Sequence, residues 1–207
     1  MQSGDWTFWI PFEIFNTEKQ RSFGLDDTAS TIILTERKTG VIWIKGTPKG
    51  VSDDTYFTLR QQTDSTQLLT AISMEDVTIG EHNIADEKTD DSQVWKFSGS
   101  TLENKIGVQF NNIELFSNEK ERIIEFTTTN KFLFVKSTDL NTDVVTNSTI
   151  GSIWSYDEYT DGNTKFFTLT LPSNSGIALT ATGSEELKIK SIGGNKSNWM
   201  QLGSATL

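Results

Sequence analysis

Two short triplets recur in register. Phe57-Thr58-Leu59 is followed by Leu69-Thr70-Ala71, and Phe167-Thr168-Leu169 by Leu179-Thr180-Ala181, so both pairs stand 110 positions apart (57 to 167, 69 to 179). Aromatic Tyr56 and Phe166 precede the two copies of the first triplet. Beyond a third apolar stretch each copy reaches a tryptophan, Gln93-Val94-Trp95 in one and Ser197-Asn198-Trp199-Met200 in the other. Chance supplies one such triplet; two in the same register, with a tryptophan after them, mark a duplicated architecture. Duplication constrains the fold more than composition does, because a short repeat that cannot bury its own apolar face must pack against its neighbours.

Weaker copies fill the rest of the chain. Phe12-Glu13-Ile14 leads to Phe23-Gly24-Leu25, then residues 31–34, then Trp43. Ile124-Glu125-Phe126 leads to Phe132-Leu133-Phe134, then Val144-Val145, then Trp154. Four of the six tryptophans thus end a segment, at 43, 95, 154 and 199. Each segment reads as strand, turn, strand, turn, strand, loop and a strand bearing Trp.

The local pattern agrees. Phe12-Glu13-Ile14-Phe15, Val41-Ile42-Trp43-Ile44, Tyr56-Phe57-Thr58-Leu59, Val94-Trp95-Lys96-Phe97 and Phe166-Phe167-Thr168-Leu169 are rich in aromatic and β-branched residues, which suit a pleated, half-buried surface. Between them lie turn clusters such as Lys38-Thr39-Gly40, Pro48-Lys49-Gly50, Ser98-Gly99-Ser100 and Asp161-Gly162-Asn163. Turns at ~8–12-residue spacing predict a sandwich or barrel. Helical periodicity is almost absent. The best candidate, residues 117–125, reads equally as a charged hairpin.

Charge and composition exclude several functions. The net charge of −10 repels phosphate backbones and argues against a nucleic-acid partner. Cysteine is absent, which removes disulfides, thiolate metal sites and cysteine nucleophiles. His82 is the single histidine, so a multi-histidine zinc site is closed off. No apolar run approaches the ~20 residues of a membrane span. The N-terminal stretch MQSGDWTFWIPFEIF has no basic start and no small-residue cleavage site, and is read as no signal peptide. The expected location is cytoplasmic or non-classically exported.

The stretch Gln93-Val94-Trp95-Lys96-Phe97-Ser98-Gly99, with Thr101-Leu102-Glu103-Asn104-Lys105 after it, resembles the ricin B-chain-type β-trefoil lectins. In that family, lobes of about fifty residues each close on a Q-x-W strand whose Trp packs in a shared core. The strand Asn198-Trp199-Met200-Gln201-Leu202 is similar but lacks the Gln. Trp43 and Trp154 depart further, being preceded by Ile42 and Ile153. The resemblance implies an all-β, β-trefoil-like fold over a single domain, 1–207, with Trp43, Gln93, Trp95, Trp154 and Trp199 in one common core. A trefoil has three lobes and the sequence offers four segments. Either residues 55–207 form a trefoil-sized block preceded by an extra unit, 1–54, or one segment is false and the true lobes are longer, with inserted hairpins; a β-sandwich is the alternative fold.

The resemblance also implies where a sugar would sit. The family's pocket uses an Asp shortly after the second strand, because carboxylates and amides pair with sugar hydroxyls. Phe23-Gly24-Leu25-Asp26-Asp27 matches that step, making Asp26 and its neighbour Asp27 the leading candidates and Asp139, in Lys136-Ser137-Thr138-Asp139, the next. Asp26-Asp27 is equally the start of a turn. Trp6 and Trp9, in an aromatic N-terminal stretch, are either core strand faces or an interaction surface. Asp157 to Asn163 gathers oxygen ligands without EF-hand spacing and reads as a hairpin loop. The charge run 85–91 reads as a solvated loop, and His82 as a loop residue. Asn147-Ser148-Thr149 and Asn195-Lys196-Ser197 are glycosylation sequons, meaningful only in a secreted chain.

The expected function is non-catalytic recognition of a glycan or glycoprotein, with no cofactor, no metal and no catalytic residue. Alternatives are a protease inhibitor working through loops 47–55 or 85–92, and a toxin or assembly subunit, in which homo-oligomers are conceivable.

Overall fold

The computed structural model describes residues 6–28, 31–73, 77–82, 86–126, 128–162, 164–182, 186–192 and 199–200. Its regular structure is antiparallel strand throughout, apart from one 3-10 turn at Asp91–Gln93. The near-absence of helix follows from the alternating, β-branched and aromatic segments noted above. Residues 117–125 hold the end of one strand, a turn and the start of another, which settles that ambiguity as strand.

The chain divides into two compact units, Pro11–Ser117 and a second formed by Met1–Ile10 with Asn118–Leu207. Strand β1 (Trp6–Trp9) belongs to the second unit. The 11–117 unit begins at β2 (Phe12–Asn16), whose Phe12, Ile14 and Phe15 are buried. A hairpin follows, β3 (Arg21–Leu25) and β4 (Ile32–Thr35), then β5 (Ile42–Gly46), which pairs back onto β2 through Phe12 and Trp43. Strand β6 (Thr58–Gln61) pairs with β5, and a second hairpin is formed by β7 (Gln67–Ala71) and β8 (Val77–Glu81). Then come β9 (Trp95–Ser98), β10 (Thr101–Asn104), the short β11 (Gln109–Phe110) and β12 (Ile113–Ser117).

The pairings of this unit return to their starting point. β2 pairs with β5, β5 with β6, Phe57 bridges Trp95, β9 pairs with β10, Ile113 N donates to Ser100 O, and β12 pairs with β2 along five consecutive positions. Closing strands into a ring removes the exposed edges that would otherwise template aggregation. Gly99, with φ 62°, makes the tight β9–β10 turn possible.

The second unit repeats the plan. β13 (Glu121–Phe126) is followed by a hairpin, β14 (Lys131–Val135) and β15 (Val144–Asn147), then β16 (Ile153–Asp161), which pairs back onto β13. β17 (Thr164–Leu171) pairs with β16, the hairpin β18 (Asn174–Ala181) and β19 (Leu187–Ser191) follows, and β20 (Trp199–Met200) pairs with β17 through Phe167 and Trp199. The role of β12 is taken by β1, which pairs with β13 from Trp6–Phe126 to Trp9–Ile123. Even the first turns match: Gln20 and Asn130, each the last residue before its second strand, have φ of 54° and 50°.

The recurring triplets have a physical reason. The Trp95 indole N–H donates to Leu69 O at 2.9 Å, and the Trp199 indole to Leu179 O at 3.2 Å. Thr70 Oγ1 donates to Leu68 O, and Thr180 Oγ1 to Ala178 O. Leu-Thr-Ala thus offers an apolar core contact, a hydroxyl that satisfies itself locally and a carbonyl that receives the later Trp. Trp43, Trp95 and Trp154 are fully buried.

Two expectations are revised. The indoles do not share one core: Trp43 and Trp95 lie in a cluster with Phe12, Leu59 and Leu102, whereas Trp154 lies in another with Ile124, Leu169 and Leu179, against which Trp199 packs. Residues 1–54 are not an added piece either, because Lys45 of β5 pairs with Leu59 of β6 across that boundary. The repeat is two units of about 110 positions, each containing two of the four Trp-ended segments.

Candidate functional site

Of the three aspartates singled out in the sequence, Asp26 and Asp139 hold turns. Asp26 follows β3, as the pattern required, and is half-buried. Its backbone N–H donates to Thr31 O, while its carboxylate accepts Thr28 Oγ1 at 2.9 Å and Thr31 N at 3.2 Å. These bonds tie down the β3–β4 connection. Asp27 beside it is exposed. Asp139 accepts Ser137 Oγ at 2.7 Å, and its carbonyl receives Thr142 Oγ1 at 2.7 Å. Asp26 and Asp139 belong to different units.

Trp6 and Trp9 lie half-buried on β1. Trp6 contacts Phe126 edge-on at 5.1 Å and Trp199 at 5.8 Å, within its own unit. Trp9 donates its indole N–H to Glu125 Oε2 at 2.6 Å. Asn147 of the first sequon accepts from Thr149 N and Ile150 N, closing a turn; the second sequon lies outside the described residues. Asp157 and Tyr159 are paired within the β16–β17 hairpin.

A different group of residues converges. Thr70 from β7, Glu81 and His82 at the end of β8, and Asp86, Lys88 and residues 89–93 from the following loop line a polar cleft of about 570 Å³. The charge run that reads as plain solvated loop forms one wall. It is held by specific bonds: Asp90 accepts Ser92 N at 2.8 Å and Ser92 Oγ at 2.7 Å, capping the 3-10 turn. Asp91 receives Lys105 Nζ at 3.0 Å and Lys88 Nζ at 3.2 Å. Buried Thr89 and Lys49 exchange bonds, Thr89 N to Lys49 O and Lys49 N to Thr89 Oγ1.

Gln93 forms the floor and is 6% exposed. Its Nε2 donates to Thr70 Oγ1 and to Glu81 O, both at 3.2 Å. A backbone carbonyl only accepts, so this contact fixes which end of the amide is nitrogen. The Oε1 atom accepts no hydrogen bond among the described residues and is left to the cleft that Gln93 lines. Gly80 leaves space for this arrangement: a Cβ there would lie 2.4 Å from Thr70 Oγ1 and 3.1 Å from Gln93 Nε2.

The electrostatics favour acceptors. Hydrogen bonds from Ser92 hold the Asp90 carboxyl below its ordinary range. Hydrogen bonds from Lys105 and then Lys88 do the same for Asp91. Burial first, then the nearby Lys49 and Arg60 cations, push His82 down, so it is neutral at pH 7. No group of three or more His, Asp or Glu able to hold a metal occurs among the described residues. The cleft therefore offers hydroxyls, carboxylates and one free amide oxygen to a ligand rich in O–H or N–H donors. Among the described residues its lining holds the His82 imidazole but no Phe, Tyr or Trp ring.

Sequence reasoning places Gln93 in the core and treats His82 and residues 85–91 separately; it does not join them. The available signal was the Asp90-Asp91-Ser92-Gln93 run, a capped turn immediately ahead of the Q-x-W strand.

No protein-family model matches the sequence, and no curated protein matches it. Among solved structures, the chain is similar to a mosquitocidal holotoxin, with 12% identity, a TM-score of 0.35 and coverage of 97% of this chain and 28% of the holotoxin. The chain thus spans little more than a quarter of that protein's length.

Proposed function

We propose that this chain is a non-catalytic glycan-recognition protein built from two β-trefoil-type units, and that the Gln93 cleft is its sugar pocket. The observation that carries the reading is the Gln93 amide, buried, anchored through Nε2 and presenting an unpartnered Oε1 in a cleft of hydroxyls and carboxylates. Saccharides are recognised by such fixed acceptors and donors paired with their hydroxyls. The ring of β2, β5, β6, β9, β10 and β12, with hairpins β3–β4 and β7–β8 attached, supports the trefoil reading, with a third lobe shortened to β10–β12. Asp90 and Asp91 are held ionised by their partners, which suits them to accept hydrogen bonds from a ligand.

The test is a glycan array with the whole chain and two variants. Gln93→Leu is expected to abolish retained glycans, while Asp26→Ala, which removes a carboxylate that is not part of the cleft lining, leaves them. Near-ultraviolet circular dichroism checks that both variants stay folded. An array with no retained glycan, or retention indifferent to Gln93→Leu, sinks the assignment.

A further inference from the structure

We infer that this chain forms a dimer with a second copy of itself by exchanging strand β1. The order of strands carries the argument. The 11–117 unit is closed by β12, and after residues 118–120 the chain enters β13, the first strand of the other unit. That other unit is closed by β1, and after Ile10 and Pro11 the chain enters β2, the first strand of the 11–117 unit. Each closing strand thus runs straight into the first strand of the opposite unit. One chain satisfies this order by closing on itself. Two chains satisfy it equally, each copy laying its β1 along the other's β13. Strand β1 is built for such a transfer, because its contacts belong to the unit that accepts it: Trp6 meets Phe126 and Trp199, Phe8 meets Tyr156 and Phe167, and Trp9 bonds Glu125. Consecutive strands ordinarily lie side by side, yet β1 pairs with β13 while β2 pairs with β3, β5 and β12. The opposite edge of β13 is taken by β14 and β16. Withdrawing β1 therefore opens one edge, beside buried Ile123, Ile124 and Phe126, and an open edge templates pairing with another chain.

The second observation is independent of the pairing: the two junctions are held differently. Residues 118–120 form a bonded turn, in which Glu121 N donates to Asn118 O at 2.8 Å and Lys120 N to Asn118 Oδ1 at 3.1 Å. At Ile10 and buried Pro11 no turn bond forms among the described residues. Proline lacks the N–H that a turn would use, and it holds the residue before it extended. A two-residue extended connection resists folding back, and short, stiff hinges favour exchange. Every contact of β1 is the same in either arrangement, so the balance lies between this hinge and the effective concentration of the tethered strand.

The experiment weighs the full chain by light scattering, as purified and after refolding at rising concentration. A dimer is expected, its share growing with concentration. Inserting Gly-Ser-Gly-Ser between Ile10 and Pro11 lets β1 fold back, and is expected to lower the dimer-to-monomer ratio about tenfold at equal concentration. A second variant reads the topology. The chain has no cysteine, so Thr7→Cys/Glu125→Cys places a lone pair at directly opposed positions of β1 and β13. In the exchanged dimer the oxidised pair joins two chains, and a denaturing gel shows twice the chain mass; in a closed monomer it joins a chain to itself. The insertion leaves the contacts of β1 intact, so it decides the question even if Glu125→Cys, which loses the Trp9 bond, fails to fold. A chain that stays monomeric throughout overturns the proposal. So does a dimer indifferent to the insertion, or one whose cysteines link only within a chain. None of these outcomes touches the Gln93 cleft, whose own test is the glycan array.

Discussion

The two units build one ring edge from different chemistry. In the 11–117 unit, β12 runs along β2 with Glu114 opposite Phe15, and Phe116 meets Phe15 edge-on at 5.0 Å. Arg37 covers that pair, 3.9 Å above the Phe116 ring. In the second unit, β1 runs along β13 with Thr7 opposite Glu125, and Trp9, two residues on, donates to the Glu125 carboxylate. Trp9 thus holds the place of Phe116, and buried Glu125 the place of Phe15. The same register position is filled in one unit by dispersion between rings and in the other by a charge-assisted hydrogen bond. The lesson is that the fold requires size and a satisfied partner there, not apolarity. The neighbouring positions differ in degree only: Ile113 and Leu115 on β12 become Trp6 and Phe8 on β1, and Phe8 extends the aromatic cluster by packing on Phe167 at 5.4 Å and Tyr156 at 5.8 Å.

The sharpest challenge to this equivalence is truncation of the matched tryptophans. Trp43→Ala and Trp154→Ala each empty a fully buried site and are expected to cost about 3–5 kcal/mol in urea unfolding. Both indole N–H groups are buried without a partner among the described residues, so neither variant also strands an acceptor. A cost in one unit several times that in the other would end the claim that the sites correspond.

Next in size is a swap of the edge chemistry. Trp9→Phe removes the indole donor from buried Glu125 and is expected to destabilise by about 1–3 kcal/mol. The double variant Trp9→Phe/Glu125→Phe copies the Phe15–Phe116 pair and is expected to recover most of that loss. A double-mutant cycle reads the coupling directly, and additivity would show that the carboxylate and the indole do not depend on each other.

Titration separates the units by a smaller margin. His82, in the 11–117 unit, has its folded value held below the ordinary 6.5. The unfolded chain therefore takes up the proton first, so the stability associated with neutral His82 is present above pH 6.5 and declines as pH falls. Asp90 and Asp91, also held low, add to the loss as pH falls further, through and below the ordinary carboxylate value of 3.8. Thermal midpoints should drop between pH 7 and 5, less so in His82→Gln. In the second unit, burial and then the bond to Glu158 push Tyr156 from 10.0 to about 12. Its contribution is complete below pH 10 and lost as pH rises through about 12. Tyrosinate absorbance should show a late step near pH 12 that Tyr156→Phe removes; a titration finished well before that would show the phenol in open water.

Much of this was legible in sequence because it is local or repeated. Alternation announced the strands, and the two Leu-Thr-Ala triplets announced the duplication, since each carbonyl and hydroxyl is needed at the same place in both copies. What escaped is set by distant pairing. Nothing around Trp6 says that it lies opposite Phe126, and nothing around Trp43 and Trp154 says that they serve separate cores. The cleft escaped for a related reason: Gln93 gains its role only when the β7–β8 hairpin brings Thr70 and Glu81 to it. Asp26 was found at its expected place after β3, but a one-dimensional pattern does not tell a carboxylate that meets ligand from one that closes a turn.

The pairing of β1 with β13 has a bearing on synthesis. Residues 11–117 form an uninterrupted stretch whose ring partners have all emerged by Ser117. Strand β1 leaves the ribosome earlier still, yet its hydrogen-bonding edge stays unmatched until Phe126 has followed it. Such a long-range pairing predicts that this unit acquires the strand bearing Trp6, Phe8 and Trp9 slowly, and that its aromatic face waits uncovered until then.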